Sequence, residues 1–222
     1  MRNAIPVLAM VFVLAAPAPA LADDNQAWET LQIQGGLGGA WKVSNETVLR
    51  GGDAKGFYEI ENNLMVGRRI DKHVTAWLGY TLDPNYSHGD LTVTEHRIRE
   101  QVSFDNVAKL GPVTLSGRIR LEERFRDGVA GTGWRLRPYV KASLPLAGKV
   151  RLSLAHESFI NLNTTAFQKV DGYDRMRNSL MIGVPLNKRF AFDIGYLNQH
   201  GFVRNAPDTN DHALMTQLTY SF

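Results

Sequence analysis

The sequence predicts an all-β chain folded as an antiparallel, up-and-down transmembrane β-barrel of 10–12 strands. Three observations point there. Apolar residues recur with period two from Trp41 to Phe222, the alternating stretches are long for globular strands, and the connectors between them alternate between short and long. Period two puts successive side chains on opposite faces of a sheet, so each stretch has one apolar and one polar face. Many stretches match the ~9–11 residues of a tilted membrane strand rather than the usual five or six.

The chain opens on a targeting segment. Arg2 is followed by an uncharged run with Ile5, Val7, Leu8, Met10, Val11, Phe12, Val13 and Leu14, ending Ala20-Leu21-Ala22 before Asp23-Asp24. A basic start, a short apolar core and a small-x-small ending are the parts of a secretory signal peptide cleaved after Ala22. The apolar core falls well short of the ~20 residues of a spanning helix. Residues 1–22 are therefore expected to be removed, leaving 23–222 as a single outer-membrane domain.

Residues 29–37 place Leu31, Ile33 and Leu37 on one face of an eleventh strand-like segment. Single-chain bacterial barrels have even strand counts. This segment is thus expected either to lie in the lumen or periplasm, or to belong to a twelve-stranded barrel. Gly35, Gly36, Gly38 and Gly39 permit a sharp bend there.

Strands follow near 41–50, 57–69, 73–82, 91–104, 110–125, 133–144, 149–160, 173–184, 190–200 and 211–222. The pattern is clearest where Val113, Leu115, Ile119 and Leu121 alternate with Arg118, Arg120 and Glu122, and where Phe190, Phe192, Ile194 and Tyr196 alternate with Asp193 and Gly195. Asp71-Lys72, 105–109, 145–148 and 185–189 read as short turns, whereas 83–90, 126–132, 161–171 and 201–210 read as longer polar loops. Short turns at one end and long loops at the other is the outer-membrane arrangement. In the last strand Leu218, Tyr220 and the terminal Phe222 alternate, an ending that resembles the assembly signal read by the barrel-assembly machinery.

Composition agrees once it is read by position. Mean hydropathy of −0.23 averages an apolar outer face with a charged inner one. With 25 bases against 22 acids the chain is too balanced to suggest a nucleic-acid partner, and the absence of cysteine excludes disulfides, thiolate metal sites and cysteine nucleophiles. If apolar residues face lipid, the lumen receives Glu59, Glu61, Arg97, Arg99, Arg118, Arg120, Glu122, Arg124, Arg135, Arg137, Lys141, Arg151, Glu157, Arg175, Arg177 and Asp193, eleven bases against five acids. These form internal guanidinium–carboxylate struts in a narrow barrel, or attract anions into a passage. The alternation has faults. Between Leu91 and Ile98 the apolar phase changes, which predicts a bulge. Glu100, Asn62 and Asn178 fall on the apolar parity, which local register breaks would explain.

One pair carries candidate chemistry. His156-x-Ser158 puts an imidazole and a hydroxyl on one strand face, the lipid side, where a histidine can act as base for a nucleophilic serine. The spacing resembles the His-x-Ser pair of outer-membrane lipid A deacylases. The third group that should orient His156 is missing, because Glu157 points the other way, so an anchoring role for His156 is preferred and no enzyme is expected. His88, His96, His200 and His212 lie near Asp83, Asp90, Asp208 and Asp211 without a metal-ligand spacing, and no metal or cofactor is expected. Trp28, Trp41, Trp77 and Trp134, with Tyr80, Tyr86, Tyr173 and Tyr220, suit interfacial belts.

At Gly133-Trp134-Arg135-Leu136-Arg137-Pro138, at His156-Glu157-Ser158-Phe159-Ile160-Asn161-Leu162-Asn163, at Arg175-Met176-Arg177-Asn178 and at Gly195-Tyr196-Leu197-Asn198-Gln199 the chain resembles a bacterial family catalogued as domain of unknown function 2490. The resemblance runs from about Trp28 to Phe222. It implies an outer-membrane barrel of a Gram-negative bacterium and brings no catalytic residue. The function expected is therefore a porin-like outer-membrane barrel with outer-membrane lipid around it, acting as structure or as a narrow anion-biased passage. The alternatives are a lipid-modifying hydrolase using His156 and Ser158, and a soluble periplasmic ligand-binding barrel.

Overall fold

The computed structural model describes residues 24–222, so the predicted signal peptide lies outside the described residues. Eleven strands follow one another without a helix: β1 (Asp24–Gly38), β2 (Trp41–Gly52), β3 (Gly56–Arg69), β4 (Val74–Ser87), β5 (Asp90–Leu110), β6 (Val113–Arg126), β7 (Val129–Pro145), β8 (Arg151–Asn161), β9 (Gly172–Pro185), β10 (Phe190–Gly201) and β11 (Thr209–Ser221). Each pairs with its chain neighbours and β1 closes on β11, giving one barrel.

The segment expected in the lumen or periplasm is β1, a full member of the wall, so the even count does not hold. The geometry of closure follows from that number. In a meander every strand reverses direction, so the first and last of an odd set run the same way and must pair in parallel. β1 and β11 do so without a slip from Asp24↔Asp211 to Gln34↔Ser221. Parallel pairing is slightly the weaker kind, and side chains reinforce this seam. Gln217 donates to Gln32 at 3.3 Å, the Phe222 N–H donates to the Gln34 carbonyl at 3.1 Å, and the Phe222 ring lies over Gly35 so closely that any Cβ there would overlap it. Inside the wall, Trp28, Leu197 and Ala213 form a buried apolar cluster beside the seam.

An odd meander also separates the chain ends. β1 begins at one rim, called here the amino rim, and β11 ends at the other, the carboxy rim. The amino rim carries the β8–β9 connector (162–171) and the β10–β11 connector (202–208), the two longest. The expected loops 83–90 and 126–132 are mostly strand, reduced to tight turns at His88-Gly89 and Asp127-Gly128. His88 (φ 52°) and Gly89 (φ 95°) both take the left-handed conformation that a two-residue hairpin needs to match strand twist. At the carboxy rim Asp71 accepts the backbone N–H groups of His73 (2.6 Å) and Val74 (2.8 Å), and these donors hold its carboxyl below the ordinary range. The expected turn 105–109 is a bulged part of β5, where register advances from Phe104↔Gly117 to Ala108↔Leu115.

The phase change in β5 has the cause the pattern suggested. Asn85 faces Val93 while Tyr86 faces Leu91, so Thr92 is an extra residue. Register breaks do not explain the polar residues on apolar parity, however. Asn62, Glu100 and Asn178 all sit in unbroken ladders and point outward.

The two faces are inverted relative to a water-soluble domain. Large apolar side chains are exposed around the outside, among them Leu64, Leu78, Ile119, Val140, Leu154, Ile182 and Leu214, while the fully buried side chains include Arg99, Glu95, Glu122, Thr81 and Asp83. Of the tryptophans, Trp41 and Trp134 point outward. Trp28 and Trp77 point into the barrel, a correction to the belt assignment: Trp28 is 3% exposed and Trp77 lies over Gly67.

Candidate functional site

Inward parity places charge on neighbouring strands at matching heights. Register sets Arg99 opposite Glu122, Gln101 opposite Arg120 and Arg97 opposite Arg124, then Glu122 opposite Arg135 and Arg120 opposite Arg137. Three carboxylates, Glu61, Glu95 and Glu122, become hubs. Glu122 contacts Arg135 (2.7 Å), Arg137 (2.7 Å) and Arg99 (3.1 Å). Glu95 contacts Arg97 (2.6 Å), Arg124 (2.8 Å) and Arg126 (2.7 Å). Arg99 reaches over β4 to Glu61 on β3 at 2.6 Å, and Arg50 joins Glu61 (2.9 Å) to Glu59 (2.5 Å). Glu157 holds Arg137 (2.9 Å) and Arg118 (2.7 Å). Arg97 also pairs with Asp83.

Several of these paired arginines, and Arg177 with them, also stack on aromatic rings. The Phe159 ring has Arg137 at 4.3 Å and Arg177 at 4.7 Å, with Arg135 and Arg175 farther out. Trp28 has Arg50 at 4.3 Å and Arg177 at 4.5 Å. Such cation–π contacts strengthen where water is excluded, and they let a lumen hold more guanidinium than carboxylate.

Two cavities flank the network inside the barrel. A cavity of about 410 Å³ opens toward the amino rim, lined by Arg97, Arg124, Arg135, Arg137, Arg175 and Arg177 among others. A second of about 820 Å³ opens toward the carboxy rim, lined by Arg118, Arg120, Lys141, Arg151 and Asp193 with Lys42, Glu46 and Asp105. Arg99 and Glu122, neither exposed at all, and Glu157 lie between the two. The β8–β9 connector dips into the barrel: Gln168, 3% exposed, accepts from Arg124 at 2.9 Å and donates to the Asn163 carbonyl at 2.8 Å.

Sequence reasoning missed Arg50, Asp83 and Glu95 in this network. Glu95 shares parity with Arg97 and Arg99, a signal hidden by the phase change at Thr92. Asp83 opens a polar stretch, 83–90, whose composition reads as loop. The carboxylate oxygens of Glu59, Glu61 and Asp83 lie within 4.8 Å of one another, but Arg50 and Arg97 pair with all three, so each of these carboxylates already has a guanidinium partner. Among the histidines, His200 pairs with Asp208 (3.1 Å) and His96 with Asp127 (3.2 Å).

A second cluster lies on the outer face, from the middle of β8 and β9 toward their amino-rim ends. His156 Nε2 is 3.0 Å from Ser158 Oγ, and its Nδ1 is 2.7 Å from Asn178 Oδ1. The hydroxyls of Ser158 and Tyr173 are 2.6 Å apart. β8 supplies the first two residues and β9 the others, with His156 and Asn178 directly paired in the ladder. The group missing from the sequence reading is Asn178, an amide rather than an acid, on the neighbouring strand. Glu157 does point into the lumen. Beside the cluster an outward cleft of about 490 Å³ is lined by Val140, Ala142, Leu154, Ala155, His156, Asn178, Ser179, Leu180, Tyr196 and Asn198.

Comparison with known proteins adds family but no chemistry. The chain is similar to an uncharacterized protein of Methylorubrum extorquens, 25% identical over 98% of this chain and 97% of that one. No solved structure matches. A match over residues 25–210, which spans both the arginine network and the Asn178–His156–Ser158 cluster, shows that the chain belongs to the family described as Protein of unknown function (DUF2490).

Proposed function

We propose that the protein is an outer-membrane barrel, exported by its first 22 residues, whose lumen is sealed midway and leaves an anion-attracting chamber open at each rim. The observation that carries this reading is the inverted packing: charged side chains fill the inside and large apolar ones cover the outside. In water such a surface would aggregate. In a bilayer it is the favoured one, since a closed barrel satisfies every backbone hydrogen bond in the wall.

Aromatic side chains support two interfacial girdles. Phe57 with Tyr86 and Tyr173 with Phe202 stack near the amino rim, and Phe190, Tyr220 and Phe222 stack near the carboxy rim. The outward Leu218, Tyr220 and Phe222 of β11 suit recognition by the barrel-assembly machinery from the periplasm, which makes the carboxy rim periplasmic and the longer connectors external. A soluble ligand-binding barrel would need the opposite distribution of apolar residues.

Between pore and filled barrel, the network favours the filled form. An ion crossing the middle would have to part Arg99, Arg137 and Glu122 in a dry environment, where breaking one buried pair costs about 3–5 kcal/mol. Purified protein in a planar bilayer is therefore expected to show no conductance steps above the lipid baseline. Stable single-channel steps would overturn the sealed lumen, and their ion preference would show which cavity sets it.

A further inference from the structure

We propose that the outer-face cluster is a serine esterase site, with Ser158 as nucleophile, His156 as general base and Asn178 as the residue that positions the imidazole. The substrate chemistry follows from place: a fatty-acyl ester of a membrane lipid.

The hydrogen bonds run in the order such a site requires. Asn178 Oδ1 can only accept, so His156 carries its proton on Nδ1 and donates it there at 2.7 Å. Nε2 is then unprotonated and accepts from Ser158 Oγ at 3.0 Å. With its own proton so committed, Ser158 Oγ accepts from the Tyr173 hydroxyl at 2.6 Å. Nucleophile, base and orienting group are each within hydrogen-bond reach of the next.

The location argues against a purely structural role. His156, Asn178, Asn198 and His212 occupy one level across β8, β9, β10 and β11 through successive ladder pairs. Polar groups on a lipid-facing surface are costly, and apolar residues fill the equivalent outward positions just below: Leu154, Leu180 and Leu214 are exposed. The cleft runs from His156 and Asn178 along Val140, Ala142, Leu154 and Leu180, in the direction of the carboxy rim. An acyl chain lying in it would bring its ester to His156, beside Ser158, which is 9% exposed and borders the cleft through His156.

In the reaction Ser158 Oγ attacks the ester carbonyl carbon as its proton passes to His156 Nε2. Tyr173 is placed to donate to the resulting oxyanion. The carbon–oxygen bond to the lipid breaks, and the leaving alkoxide takes the proton from the imidazolium, leaving an acyl-serine. A water then gives its proton to Nε2 and its oxygen to the acyl carbon. The free fatty acid departs, and Ser158 recovers its proton.

The choice of lipid and the cost of the outward polar groups rest on the membrane reading; purified protein in detergent micelles tests the chemistry apart from it. The folded protein is expected to be labelled on Ser158 by a fluorophosphonate and to release fatty acid from mixed micelles of either glycerophospholipid or lipid A. The micelle that is cleaved identifies the source of the ester. Ser158→Ala and His156→Ala should lower the rate by about 10³-fold or more while keeping the heat-modifiable gel migration of the folded barrel. Asn178→Ala should lower kcat and move the pH profile that reports His156, and Asn178→Asp should restore much of the rate. Folded protein that takes up no fluorophosphonate and cleaves neither lipid, or a Ser158→Ala variant as active as the parent, overturns the site.

Discussion

Replacing Glu122 with alanine is expected to lower the unfolding free energy of the barrel by about 3–5 kcal/mol, the loss that follows when a buried ion pair is broken from one side. Glu122 has no exposed surface and meets four guanidinium groups, those of Arg99, Arg135 and Arg137 closely and that of Arg120 at 4.0 Å. Removing it leaves four buried cations near one another, with Glu61 and Glu157 the carboxylates left to hold Arg99 and Arg137. Glu122→Gln keeps the shape and the acceptor but not the charge, so it should fall between parent and alanine variant. Urea unfolding in detergent micelles, followed by the fluorescence of the inward Trp28 and Trp77, measures both. A loss under about 1 kcal/mol for the alanine variant would place the pair in the class of exposed, screened bridges and would mean that the hub is hydrated.

A cysteine placed at Asn25 is expected to react with a membrane-impermeant maleimide on intact cells, whereas one placed at Lys188 should react only after the outer membrane is permeabilised. The difference should be all or none. It follows from the parallel seam, because β1 starts at the rim opposite the one where β11 ends. An even-stranded barrel would bring both termini to the same face. Both positions are exposed, and the natural chain has no cysteine to confuse the labelling. Equal labelling of the two in intact cells would contradict the odd count or the assignment of the carboxy rim to the periplasm.

The fold was legible in the sequence wherever one side chain in two had to be apolar. From Trp41 onward period two marks ten strands close to their observed bounds, since outward residues face one environment along the whole strand. β1 was harder. Its apolar face is short, with glycines at 35, 36, 38 and 39, one of which exists to seat Phe222, and its place depends on a partner nearly the whole chain away. The even-count rule then argued against it, although parallel closure is open to any odd meander.

The interior was legible residue by residue but not as a network. Parity shows that Arg97, Arg99 and Glu122 turn inward, but which carboxylate meets which guanidinium depends on register, on the bulge at Thr92 and on Gln168 entering from a connector. The outer-face cluster shows the same limit. His156 and Ser158 are two residues apart and visible as a pair, while Asn178 lies a strand away and looked like a fault in an apolar face. Ladder pairing of His156 with Asn178 turns that fault into the third member of the cluster.

The inverted barrel stands or falls on where the protein is found and how it migrates. Fractionated cells should yield it in the outer membrane, extractable only with detergent, and the unheated sample should run on a denaturing gel at a position different from the boiled one. Recovery in the osmotic-shock fluid without detergent, with a single band whether boiled or not, would contradict it.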